Sequence, residues 1–315
     1  MKLPLESEHD DFEEQLARTG GIKADAVDWS TVRRSSYLIQ QRIGYRYEGP
    51  VRQLRQRLVV QPREHHGDQR LLERHLRVLH AEPRGVSDTI DGFGNHVVDI
   101  TIPVVAEEVA FVCWSVVERD AWHGPHLAAR SWSRDPRLLT PTRLTAVDSG
   151  LRALADELGA TGLENAELAE AVCDRVHQVM RYQYDLTGIG TTAVEAFAQR
   201  AGVCQDFAHV MLAITRALGL PSRYVSGQLL GIGGSHAWVE VLVPHDAGSA
   251  EVISLDPTHN RRTDMTYLTV AVGRDYFDVA PFSGSYHAPY LGRLSTLKRV
   301  SVISVDGEPQ IATSA

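Results

Sequence analysis

Three residues in the second half of the chain have the types and the order of a nucleophile, its base and an orienting carboxylate: Cys204, His236 and Asp256. A thiol attacks a carbonyl only after a base has taken its proton, and that base needs a partner that fixes its tautomer. Each residue also has an ordinary interpretation: a buried thiol, a hydrogen-bonded histidine, and an aspartate that begins a turn before Pro257. The ordered set predicts these three as catalytic residues.

Cys204 lies at the predicted start of the best-marked helix in the chain. Apolar residues recur at helical spacing from 207 to 218, and Gly219 followed by Pro221 ends the pattern. A helix N-terminus carries unpaired N–H groups and a partial positive charge, and both favour a thiolate over a thiol. The backbone N–H of Cys204 is also predicted to donate a hydrogen bond to a developing oxyanion.

His236 and Asp256 lie at the ends of neighbouring predicted strands. His236 opens the strand predicted for residues 236–243, and Asp256 closes the one predicted for residues 251–256. Adjacent antiparallel strands are about 4.8 Å apart. The carboxylate of Asp256 is therefore expected to reach the imidazole of His236 and orient it.

The remaining cysteines and histidines predict no further chemistry. Cys113 and Cys173 lie among apolar residues and are predicted to be buried. Residues 65–80 contain four histidines in an arginine-rich stretch that we predict as loop and helix. The sequence has no HExxH motif, no paired CxxC and no acidic loop with EF-hand spacing. We therefore expect neither a metal site nor a cofactor.

The elements around the candidate residues follow the order of an α+β protein. Residues 1–35 are an acidic extension, and residues 36–135 have the period-two pattern of an antiparallel β domain. Residues 136–265 give helices first and strands afterwards, and form the predicted catalytic core. Within the core, a Thr-x-x-Glu sequence at 192–195 predicts a capping box. Residues 266–315 add strands that pack on the core or on the β domain, followed by a polar tail.

The composition favours a globular protein of a reducing compartment. The chain has 315 residues, 40 of them acidic and 32 basic, which gives a formal charge of −8. This acidic balance argues against nucleic acid and against an anionic membrane surface as partners. Its three cysteines cannot form a disulfide framework. The sequence also has neither a signal-peptide pattern nor an apolar run of the ~18–20 residues needed to cross a bilayer. We expect a cytoplasmic location, and the oligomeric state stays open.

Several segments of the sequence resemble the bacterial transglutaminase-like family. They surround the candidate residues and extend into the N-terminal half: 191–192 (TT), 202–209 (GVCQDFAH), 220–227 (LPSRYVSG), 235–241 (SHAWVEV), 256–260 (DPTHN), 45–47 (YRY), 91–95 (DGFGN) and 272–276 (VGRDY). The resemblance covers residues 36–305. It implies a papain-like transglutaminase core, helices packed on an antiparallel sheet, after an N-terminal antiparallel β-sandwich-like domain. It also implies a Cys-His-Asp triad of Cys204, His236 and Asp256.

The family resemblance implies chemistry at amide bonds without fixing one reaction. The substrate would be a peptide or protein amide, and the intermediate a thioester. Water as the acceptor gives a protease or amidase, and an amine as the acceptor gives a transglutaminase. A different class of function is a non-catalytic interaction module that keeps the fold. The complete triad favours the enzyme, because a binding module does not need all three residues.

Overall fold

The computed structural model describes residues 22–121, 124–306 and 308–309. Most of the predicted acidic extension, residues 1–21, lies outside this part of the chain, as does the end of the predicted polar tail. Among the described residues, no helix combines the length and the apolar character needed to cross a membrane.

Strands fill both ends of the described chain, and most of the helices lie between them. The strands are β1 (Arg34–Arg46), β2 (Val51–Leu58), β3 (His65–His66), β4 (Gln69–Leu79), β5 (Gly85–Ile90), β6 (His96–Val105), β7 (Glu108–Asp120), β8 (Leu127–Ala129), β9 (Arg181–Tyr182), β10 (Ala201–Gly202), β11 (Ser222–Leu229), β12 (Ser235–Pro244), β13 (Ser249–Asp256), β14 (Arg261–Arg262), β15 (Tyr267–Gly273), β16 (Phe282–His287), β17 (Arg293–Val305) and β18 (Glu308–Pro309). The α-helices are α1 (Pro136–Leu139), α2 (Ser149–Gly159), α3 (Asn165–Val179), α4 (Ala193–Gln199) and α5 (Cys204–Ala217).

Two antiparallel sheets form a sandwich around one apolar core. The first sheet has the strand order β18-β17-β1-β7-β4-β3, and the second sheet has the order β16-β2-β6-β5. Side chains from both sheets meet in the core, among them Ile43 and Phe111 from the first and Leu54 and Ile100 from the second. This confirms the predicted antiparallel β-sandwich-like domain, to which three strands from the end of the chain, β16, β17 and β18, are added.

Helices pack on one face of a third sheet, which we call the core sheet. Its order is β14-β13-β12-β11-β15, and β8 pairs with β13 as well. Residues of α2, α3 and α5 share an apolar cluster with Ala237, Val239 and Val241 of β12. The intervening Trp238 packs on the opposite face of the sheet. The α+β class predicted for the core, with helices packed on an antiparallel sheet, is confirmed by this layering.

The residues after 265 are divided between the core sheet and the sandwich. β15 is an edge strand of the core sheet and pairs with β11. β16 pairs with β2 in the second sheet. β17 runs antiparallel to β1 along its whole length, from Ser35 opposite Val305 to Arg46 opposite Arg293. Strands from the beginning and the end of the described chain thus lie side by side.

Two side-chain amides from the N-terminal half close the free edge of β15. Gln69 donates to the carbonyl oxygen of Thr269 at 2.7 Å and accepts from its N–H at 2.9 Å. Asn95 donates to the carbonyl oxygen of Val272 at 2.8 Å and accepts from its N–H at 2.8 Å. Each amide supplies the donor and the acceptor that a neighbouring strand would provide. The backbone N–H and carbonyl groups of Thr269 and Val272 therefore have hydrogen-bond partners although no further strand pairs with this edge.

Two local predictions are wrong. Residues 65–80 are strands β3 and β4 rather than loop and helix. The spacing of their leucines is compatible with a helix and with a strand. The segment forms a strand because β4 pairs with β7. The stretch 120–141, in which Pro125, Pro136 and Pro141 predict a linker, contains β8 and α1, and Leu138 within it is fully buried.

Candidate active site

Cys204 is the first residue of α5 and is partly exposed to solvent. The parallel pair of β9 and β10 leads into the helix, with Gly202 opposite Tyr182. The carboxylate of Asp206, one turn into the helix, turns back and accepts from the Val203 N–H at 2.8 Å. This contact fixes the start of the helix, so that the thiol projects from the position predicted for it.

The other two cysteines lie inside the protein, as predicted. Cys113 is buried in the sandwich, and Cys173 is on the buried face of α3. Burial raises the pKa of each thiol to about 12. Neither is a nucleophile at neutral pH, because the thiolate is the reactive form.

His236 is hydrogen-bonded to Asp256, with its Nε2 2.7 Å from Oδ2 of the carboxylate. Cys204 is a second neighbour, close enough to act on the pKa of the imidazole. Burial alone would lower the pKa of His236, but the interactions with Asp256 and Cys204 outweigh it and raise the pKa to about 9. The imidazole therefore keeps its proton at neutral pH.

Asp256 is fully buried and its Oδ2 accepts three hydrogen bonds. The donors are Nε2 of His236, the hydroxyl of Tyr267 and Nδ1 of His259, each at 2.7 Å. Burial raises the pKa of Asp256, but the bond and the charge of His236, with those further donors, hold it well below its usual range. The hydroxyl of Tyr267 in turn accepts from Nε of Arg261 at 2.9 Å. The carboxylate is thus ionised and fixed from several sides.

Tyr267 and His259 were not predicted as part of the site. His259 lies within the DPTHN segment at 256–260, so its nearness to Asp256 follows from the tight turn after β13. Tyr267 lies in β15, a strand that reaches the site only through its pairing with β11. The sequence contains no local signal for that long-range contact.

A second buried network lies along β12, centred on Glu240. Its Oε1 is 2.6 Å from Nε2 of His66, and its Oε2 accepts from Nε of Arg223 at 2.6 Å. Ser254 donates to Oε1 at 3.2 Å, and Arg63 lies 3.0 Å from Nδ1 of His66. Burial would raise the pKa of Glu240, but Arg223 and His66 hold it well below its usual value. The network joins the sandwich, which contributes His66, to the core sheet.

Two groups of described side chains have donor atoms close enough together to hold a metal ion. They are His66 with His126 and Glu240, and His236 with Asp256 and His259, in each case with donor atoms within 4.8 Å of one another. In the first group, the guanidinium groups of Arg63 and Arg223 already contact the donors, and their charge opposes a cation. In the second, both imidazoles bond directly to the carboxylate. Hydrogen bonding accounts for the second group and for His66 with Glu240 in the first, where His126 packs against the ring of His66 with the centroids 4.7 Å apart.

Comparison with known proteins gives the family. The model of the transglutaminase-like superfamily matches residues 152–252, and that of the bacterial transglutaminase-like N-terminal region matches residues 37–118. An uncharacterised protein of Mycobacterium leprae is 31% identical over 216 residues, which cover 62% of this chain and 75% of that protein. The chain belongs to the transglutaminase-like superfamily. The core match includes Cys204 and His236 and stops just before Asp256.

Other proteins match this chain over shorter stretches. An uncharacterised protein of Mycobacterium bovis is 38% identical over 129 residues, covering 38% of this chain and 41% of that protein. The chain thus spans less than half the length of that relative. A protein-glutamine gamma-glutamyltransferase of Pseudomonas aeruginosa is 32% identical over 123 residues, covering 34% of this chain and 18% of the enzyme.

One solved structure shares its fold with nearly the whole of this chain. It is a candidate cysteine protease from Cytophaga hutchinsonii, with a TM-score of 0.69 and 20% sequence identity. The superposition covers 89% of this chain and 94% of that protein. The sandwich and the transglutaminase-like core therefore occur together in both molecules.

Proposed function

We propose that this protein is a cysteine-dependent enzyme that transfers the acyl group of an amide through a thioester on Cys204. The observation that carries the proposal is the grouping of Cys204, His236 and Asp256. His236 is hydrogen-bonded to Asp256 and interacts with Cys204, whose thiol is partly exposed at a helix start. Membership of the transglutaminase-like superfamily supports it. The names of two similar proteins, a candidate cysteine protease and a glutamyltransferase, agree with this class of reaction.

The first half of the reaction forms the thioester. The sulfur of Cys204, with its proton held by His236, attacks the carbonyl carbon of a carboxamide or peptide bond, and the C=O electron pair moves onto oxygen. The backbone N–H of Cys204 stabilises this oxyanion, since the first N–H groups of a helix have no carbonyl partner within it. His236 then gives its proton to the departing nitrogen, and ammonia or an amine leaves.

The second half of the reaction releases the acyl group. Water or a primary amine attacks the thioester carbon while His236 takes its proton, and the Cys204 thiolate leaves. With water the products are a carboxylic acid and the restored enzyme, as in a protease or amidase. With an amine the product is a new amide, as in a transglutaminase. Asp256 keeps Nε2 of His236 protonated through both halves, so that the other ring nitrogen handles the moving proton.

Selective alkylation tests the activated thiol. We expect iodoacetamide at neutral pH to label Cys204 far faster than Cys113 or Cys173, which serve as internal controls within the same chain. The rate at Cys204 should fall at least about tenfold in His236→Ala, because the thiolate loses its charge partner. Peptide mapping by mass spectrometry gives the rate at each site. Equal labelling of all three thiols, or no effect of His236→Ala, would instead favour a non-catalytic interaction module.

A second experiment identifies the acceptor. Glutamine-containing peptides are incubated with the protein and a labelled primary amine, with Cys204→Ala as the blank. Incorporation of label into the peptide marks transamidation, whereas release of ammonia without incorporation marks hydrolysis. If neither product rises above the level of the Cys204→Ala blank, acyl transfer from glutamine is contradicted.

A further inference from the structure

We infer that the acyl donor is a polypeptide with large apolar side chains beside its reacting amide, and that residues 182–189 bind those side chains. We call these residues the apolar segment. This inference rests on the proposed function and names its class of substrate. It is carried by the position, the exposure and the anchoring of the segment.

The apolar segment begins beside the candidate nucleophile. Tyr182 pairs with Gly202, two residues before Cys204, and the Gln183 N–H donates to the Gly202 carbonyl oxygen at 2.9 Å. A chain whose carbonyl reaches the sulfur of Cys204 must therefore pass close to this segment.

The apolar segment presents an unusual density of apolar side chains to solvent. Its exposed members are Tyr182 (45%), Tyr184 (69%), Leu186 (41%) and Ile189 (61%). These four belong to a set of 15 exposed large apolar side chains among all described residues, yet they lie within eight consecutive positions. Their only charged neighbour in the segment is Asp185. Contiguous exposed apolar surface of this kind marks binding sites in proteins.

Hydrogen bonds hold the apolar segment on the helix that carries the thiol. The hydroxyl of Thr187 donates to Oδ2 of Asp206 at 2.6 Å, and Nε2 of Gln205 donates to the carbonyl oxygen of Ile189 at 3.3 Å. The N–H of Gly188 donates to Thr191 at 2.9 Å, which closes the turn. These bonds hold the backbone of residues 187–189 against the start of the helix that carries Cys204. A surface prepared in this way loses little conformational entropy when a ligand covers it.

The chemistry of this surface favours an apolar, extended peptide. Two aromatic rings and two aliphatic side chains gain from covering apolar groups, whereas a carboxylate placed there would lose water and face Asp185. Ile232 adds a further exposed apolar side chain, at 42%, in the turn that leads into His236. The preferred donor thus has aromatic or large aliphatic residues next to the reacting position.

Two matched peptides test the inference without requiring turnover. Both have the same length and a central chloroacetamide in place of the reacting carboxamide. Attack by the Cys204 sulfur forms a C–S bond and releases chloride. One peptide has Phe and Leu beside the electrophile, and the other has Ser and Glu. We expect the apolar peptide to label Cys204 at least about tenfold faster, as measured by intact-mass spectrometry.

Variants assign this preference to the apolar segment. Tyr184→Ser combined with Ile189→Ser should reduce the rate ratio of the two peptides to within about twofold. Val86→Ser combined with Leu291→Ser is the control, since these side chains are 57% and 87% exposed and lie elsewhere. Each rate is divided by the iodoacetamide rate of the same variant, which removes changes in the reactivity of the thiol.

The outcomes separate this inference from the proposed function. Equal rates for the two peptides, or a ratio that survives Tyr184→Ser with Ile189→Ser, would overturn the apolar preference even if Cys204 is reactive. If iodoacetamide labels Cys204 slowly, and His236→Ala does not change that rate, the proposal of an activated thiol is contradicted instead. A ratio lost in the segment variant and kept in the control variant supports the inference.

Discussion

A single oxygen atom, Oδ2 of Asp256, accepts hydrogen bonds from His236, Tyr267 and His259. Its negative charge raises the pKa of His236, while each additional donor satisfies part of that charge. The two extra donors therefore reduce the amount by which Asp256 raises the pKa of His236. In a site of this kind, residues that never touch the substrate tune the proton that the reaction moves.

Removing the charge of Asp256 should make His236 lose its proton at lower pH. In Asp256→Asn, burial still lowers the pKa of His236, while the main opposing interaction is gone. We expect its titration midpoint to fall from about 9 by about 1–3 units, as measured by NMR of labelled histidine. A midpoint that stays near its original value would contradict this assignment.

The same substitution should change the pH dependence of stability. A group whose pKa is raised on folding contributes stability that is complete below its unfolded pKa and lost as the pH rises through its folded pKa. For His236 that window runs from 6.5 to about 9. As the pH rises through this window, the free energy of unfolding of Asp256→Asn should fall less than that of the wild type. Urea unfolding at several pH values measures both.

Tyr267→Phe should act in the opposite direction. Loss of its hydroxyl removes one donor from Asp256, so the carboxylate attracts the His236 proton more strongly. We expect the midpoint of His236 to rise by up to about one unit, the equivalent of one hydrogen bond. Tyr290→Phe is a matched control, because its hydroxyl bonds to the Pro50 carbonyl oxygen in another part of the molecule. A shift of equal size in both variants would show that the effect is not specific to Asp256.

At the scale of elements, β15 depends on side chains from outside its sheet. Gln69→Leu would leave the N–H and the carbonyl of Thr269 buried without their partners. We expect a loss of about 2–4 kcal/mol in the free energy of unfolding, since each unsatisfied buried group costs about 1–3 kcal/mol. Gln178→Leu, at an exposed position, should change it by less than about 0.5 kcal/mol. Urea unfolding measures both variants. If Gln69→Leu loses as little stability as Gln178→Leu, the amide of Gln69 does not stabilise the edge of β15.

Elements with strong local signals were predictable from the sequence. α5 begins at Cys204 as expected, and the predicted capping box is present, with Thr192 accepting from the Glu195 N–H and the Glu195 carboxylate accepting from the Thr192 N–H. β4 was not predictable, because its residues fit two periodicities and its pairing partner is distant in sequence. Local chemistry thus defines helix ends, whereas strand identity depends on the partner.

The candidate site shows the same division. Cys204, His236 and Asp256 were found from residue type, order and position at element ends, and the structure brings them together. Tyr267 and the partnership of His66 with Glu240 were missed, since they join residues 11 and 174 positions apart. Contacts of that kind depend on how sheets pack, and one sequence contains no direct record of packing.

At the scale of the whole molecule, the network around Glu240 joins the sandwich to the core sheet. Glu240→Gln would leave Arg223 buried without a charge partner, and we expect a loss of about 3–5 kcal/mol in the free energy of unfolding. Replacing both Glu240 and Arg223 by Met should cost less than that single change, because the buried Arg223 charge is removed together with its partner. A double-mutant cycle in urea provides the comparison. A single-variant loss below about 1 kcal/mol would contradict a buried ion pair in this position.

The pairing of β1 with β17 has a consequence for how the chain is made. Gly44 and Ser295, neighbours across that pair, are 251 residues apart. At a synthesis rate of about 5–20 residues per second, one edge of β1 waits roughly 13–50 s for its partner to leave the ribosome. An open strand edge readily pairs with another chain. Nascent copies on one messenger RNA are therefore exposed to cross-pairing along this edge until β17, the last long strand, has emerged.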